Sequence, residues 1–105
     1  MTLSNEIQKF LDSQIEYYIN QAESYKELAQ EYNPDANSVP DTAFGIIIGC
    51  IYSSFLQTYT NQSSAPNSQD IEEFTKIIVN NSKKIKESII IEDNPKLEQE
   101  WYLYI

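Results

Sequence analysis

A chain of 105 residues with 16 acidic side chains, seven lysines and no arginine carries a net charge of -9. That balance excludes the bidentate guanidinium contacts that read phosphate or guanine, and its field repels a nucleic-acid backbone or an anionic membrane surface. The absence of histidine removes imidazole acid–base catalysis, histidine-containing zinc sites and the di-iron bundles built on Glu-x-x-His pairs.

The length fits one domain over residues 1–105, and a hydrophobic content of 41% fits a packed soluble protein. Only two glycines and four prolines occur, so long stretches lack turn formers. This predicts an all-α fold: a small antiparallel helical bundle of three main helices plus a short C-terminal helix.

The first helix is expected over about 4–32. Ser4 serves as N-cap, and Glu6 places negative charge in the first turn. Ile7, Leu11, Ile15, Tyr18, Ala22, Tyr25, Ala29 and Tyr32 recur at spacings of four and three, and Phe10, Ile19 and Leu28 widen the stripe. Asn33-Pro34-Asp35 ends it, because proline disfavours helical geometry at the residue before it.

The second helix is expected over about 41–60, with Asp41 or Thr42 as N-cap. No charged residue occurs between Asp41 and Asp70, so this segment has left water. Phe44, Ile48, Ile51, Phe55 and Tyr59 fall on one arc, the expected core face. Beside it Gly45, Gly49 and Ser53 form a row at spacing four. An interior helical glycine costs up to about 1 kcal/mol relative to alanine, so two in one row imply close approach by something. The leading expectation is a neighbouring helix of the same chain. A second copy meeting at that groove, forming a homodimer, and a slot for a small apolar ligand are the alternatives. The uninterrupted apolar run, Ala43 to Leu56, is shorter than the roughly 20 residues a bilayer needs, so no membrane span is expected.

Asn61 to Ser68 reads as a loop, and the third helix is expected over about 69–90 with Ser68 as its cap. Asp70, Glu72 and Glu73 load its first turn, and Ile71, Phe74, Ile78, Ser82, Ile85 and Ile89 define its inner stripe. Asn94-Pro95 signals a final helix over about 95–103, with Leu97, Trp101 and Tyr104 on one face. Trp101, Tyr102 and Tyr104 join Gly45, Gly49 and Ser53 as candidates for helix packing or an interface.

No catalytic, cofactor-binding or metal residue is assigned. Cys50 lacks a base to form thiolate and reads as an inert core residue. Asn33-x-Asp35-x-Asn37, followed by Asp41, lacks the glycine and the bidentate glutamate of a calcium loop. Glu16, Glu23, Glu27, Glu31, Glu72 and Glu73 belong to solvated faces. One cysteine and the absence of a leader-like start predict the cytoplasm. The expected function is non-enzymatic: an acidic helical protein acting by protein–protein association, self-association included. The alternatives are a bundle that binds a small apolar ligand next to Gly45 and Gly49, and an acidic decoy or inhibitor of a basic protein.

Overall fold

The computed structural model describes residues 3–35 and 37–92. Four helices pack against one another: α1 Asn5–Asn20, α2 Ala22–Tyr32, α3 Val39–Thr60 and α4 Ser68–Glu92. No strand occurs among the described residues, in agreement with the all-α expectation. The expected C-terminal helix, with Leu97, Trp101, Tyr102 and Tyr104, lies outside the described residues.

Ser4 caps α1 as expected, its hydroxyl accepting from the Ile7 N–H at 3.1 Å. The single expected first helix is two. Gln21 leaves helical geometry at φ -106° and ψ 16°, and its N–H is shared between the Tyr17 and Tyr18 carbonyls at 3.0 and 3.2 Å. Neither glycine nor proline marks this kink, so composition could not reveal it. The inner stripe survives it, with Leu11, Ile15, Tyr18, Ala22 and Ala29 all buried.

α3 begins two residues earlier than expected. Ser38 is the cap, accepting from the Asp41 N–H at 3.2 Å, and Pro40 sits inside the first turn, where its missing N–H costs nothing. Its fully buried row is Ala43, Ile47, Ile51 and Phe55, at spacing four. Phe44, Ile48 and Tyr59, expected at the centre of that face, are its half-buried margin. Phe55 stacks on Phe74 of α4 at 4.6 Å between ring centroids, and its edge meets Tyr59 at 5.2 Å. Close approach between helices is carried by alanines: Ala22 and Ala29 of α2 and Ala43 of α3 are 1%, 0% and 0% exposed, and α2 packs mainly on α3.

α3 ends in a Schellman closure. The Ser64 N–H reaches back to the Tyr59 carbonyl and the Ser63 N–H to the Thr60 carbonyl, both at 2.9 Å. The residue that turns the corner is Ser63, at φ 54°, in the left-handed region that favours glycine. Ser63→Gly is expected to raise stability by about 0.5–1 kcal/mol, read as a higher urea midpoint at unchanged slope.

α4 is capped by Asn67 rather than Ser68. The Asp70 N–H donates to Asn67 Oδ1 at 2.8 Å, and the Asn67 N–H donates back to Asp70 Oδ2 at 3.1 Å. This reciprocal pair is a capping box with aspartate in the third helical position. Phe74, Ile78, Ile85 and Ile89 are buried as the stripe predicted.

Candidate functional site

The most apolar helix among the described residues, α3, buries only one side. Measured at about 100° per residue, Gly49 stands roughly 180° from the centre of the buried row Ala43–Ile47–Ile51–Phe55. Gly45, Gly49 and Ser53 are all exposed. A methyl group built on either glycine would meet no neighbouring atom within 4 Å. The expectation that another helix of the same chain covers this row therefore does not hold among the described residues. Small residues face outward here, while alanines carry the internal close packing.

The margins of this outward face are apolar and uncharged. Ile46, Ile48, Cys50 and Leu56 are half-buried, and Tyr52 is 38% exposed beside Phe74, with ring centroids 5.4 Å apart. Only 22% of the most apolar window of α3 is buried, at a mean hydropathy of 1.5. By length and composition α3 is also the one helix among the described residues that could cross a membrane, a test that core helices of soluble proteins pass as well.

Inside the margin, Cys50 is half-buried and packs against the apolar core, near the Tyr18 phenol. Burial pushes the Tyr18 phenol up to about 12, reinforced by its contacts with Cys50 and Tyr25. A phenol whose folded pKa exceeds its unfolded value contributes stability that is complete below pH 10 and is lost as pH rises through about 12. The melting temperature is thus expected to fall across that window. Tyr18→Phe, which cannot ionise, should escape ~1–2 kcal/mol of the loss.

The tyrosines divide between core and surface. Tyr18 is buried and Tyr25 and Tyr59 are half-buried, but Tyr17 and Tyr32 are 52% and 73% exposed. Glu16, Glu23, Glu27, Glu31 and Glu72 are solvated, and Glu73 is half-buried. Sequence reasoning placed Asp70 in the first turn of its helix but not its burial: it is 8% exposed, accepts from the Asn67 N–H and, with burial, raises the Tyr59 phenol beside it. The Asn67-x-x-Asp70 spacing was its available signal.

Two open grooves of about 260 and 200 Å³ lie between the first turns of α1 and the last turns of α3, sharing Phe10, Thr58 and Asn61. Neither is lined by Gly45 or Gly49. Among the described residues no three His, Cys, Asp or Glu side chains converge as metal ligands would. Comparison with family models, with curated proteins and with solved structures finds no match.

Proposed function

We propose that this protein is a non-enzymatic, acidic helical module that associates through the outward face of α3, with a second copy of the chain as the partner. The observation that carries this reading is the uncovered row of Gly45, Gly49 and Ser53 on the most apolar helix. An exposed glycine costs helix stability and contributes no packing to its own fold, so its use lies in letting another backbone come close. Charge favours the same surface. A chain at -9 repels its copy everywhere except where charge is absent, and α3 carries none beyond Asp41.

Our reading of the architecture is an antiparallel bundle. Its support is the pairing of Phe55 with Phe74, of Tyr59 with Asp70 and of Phe44 with Lys86, in which position rises along α3 as it falls along α4. A soluble rather than membrane-spanning state is supported by α3 packing against all three other helices. A reducing compartment suits the lone free thiol of Cys50.

The test is mass against concentration by light scattering or sedimentation. The chain, 12.2 kDa, is expected to move toward twice that mass as concentration rises, and Gly49→Lys to remain monomeric with unchanged far-UV dichroism. A strict monomer at every concentration, with no effect of Gly49→Lys, would overturn the reading.

A further inference from the structure

We propose that the solvent face of α4 is a docking strip for an acidic amphipathic helix of a partner protein, a surface separate from the α3 face of the preceding section. Charge in this chain is unevenly placed. Between Glu73 and Glu87 no acidic residue occurs, while Lys76, Lys83, Lys84 and Lys86 supply four of its seven lysines. A protein at -9 thus carries a wholly cationic stretch of helix.

That stretch points outward. Phe74, Ile78, Ile85 and Ile89 form the buried side of α4, and at about 100° per residue Lys76 and Lys83 stand opposite them. Lys76, Val79, Lys83, Lys86 and Ile90 are all exposed and recur at spacings of three and four. This is the register at which one helix offers a seam to a second. Cations in the later half of a helix also suit its dipole, but that gives no reason for Val79 and Ile90, 62% and 57% exposed, in the same row. Lys83 meets Glu87 at 3.9 Å with its own side chain 89% exposed, a contact worth little in water. The Lys86 ammonium stands 4.9 Å from the Phe44 ring centroid, which holds that charge at the border with α3.

The charge around the strip decides the shape of the partner. A bilayer or a nucleic-acid duplex presents its phosphates to a whole side of the molecule, where the acidic remainder of the chain opposes it across a Debye length of about 8–10 Å. A single helix, about 10–12 Å across, covers the strip alone. Its carboxylates meet the lysines, and its apolar seam covers Val79 and Ile90.

The probe is a labelled synthetic helix of about three heptads, with leucine on its seam and glutamate beside it, titrated with the full-length protein and followed by fluorescence anisotropy. Binding is expected at about 0.15 M salt and should weaken as salt rises. Lys76→Glu/Lys83→Glu should weaken it about tenfold or more, and Val79→Ser/Ile90→Ser severalfold with the salt dependence retained. Far-UV dichroism should not change in either, because all four side chains are exposed. Vesicles of phosphatidylserine and phosphatidylcholine should not sediment the protein. No binding of the probe, binding indifferent to either double variant, or capture by the vesicles in its place overturns the inference. Gly49→Lys, which judges the association through α3, should leave probe binding unchanged, so the two readings fail separately.

Discussion

Phe55→Ala is expected to cost about 3–5 kcal/mol, the largest loss of any single truncation among the described residues. Phe55 is 0% exposed, and its ring is stacked on Phe74 and edge-on to Tyr59. Truncation removes the transfer energy of a benzyl group and leaves a void at the α3–α4 seam. Three aromatic contacts go with it, to Phe74, Tyr59 and, at 6.4 Å, Tyr52, the closer ones worth ~0.5–1.5 kcal/mol each beyond area. Small domains carry about 5–15 kcal/mol in all, so the variant should populate unfolded chain at ambient temperature. Urea titration followed by far-UV dichroism measures it, and a loss below about 1 kcal/mol would mean that the seam is not packed as described. Phe55→Leu, which refills most of the space, should recover the greater part.

Asp70→Ala is expected to cost up to about 2 kcal/mol, although the residue lies at a helix start where an exposed cap is worth nearer 1. The difference is the number of groups that depend on one buried carboxylate. It accepts from the exposed Asn67 N–H and lies beside the half-buried Tyr59 phenol, so its loss removes the cap contact and leaves that phenol without its polar neighbour. Burial and the Asp70 carboxylate together raise the Tyr59 phenol, which marks the same contact from the other end. Tyr59→Phe should cost less by itself. Combined with Asp70→Ala it should add little, because the contact they share is already gone; strict additivity in that double-mutant cycle would show that the two side chains do not interact.

Legibility in the sequence followed the strength of the local signal. Apolar residues at helical spacing placed the inner faces of α1 and α4 correctly, because both helices alternate sharply between greasy and charged positions. α3 is apolar nearly all round, so periodicity could not choose among its faces. The expected arc was turned toward the larger rings, Phe44 and Tyr59, and away from Ala43 and Ile47. Burial there was decided by which residues let α2 come close, a tertiary fact favouring alanine. Two caps were misplaced by neighbouring residues of equal capping ability: Ser38 before Pro40, and Asn67 before Ser68. The kink at Gln21 has no signature in composition. The glycine row was recognised as meaningful, but its direction could not be read, since small residues serve a helix neighbour and an external partner equally well.

The order of synthesis gives α3 a further significance. Its run Ile46-Ile47-Ile48, set between two glycines, is a poor helix former that is β-prone and charge-free. When α3 leaves the ribosome only α1 and α2 are available to it, and the flank that Phe74 will cover stands bare until α4 has been translated. That interval is when this polypeptide is most exposed to cross-β clumping. Slowed elongation through the codons for α4 should therefore lower the yield of folded product without altering the stability of the finished molecule.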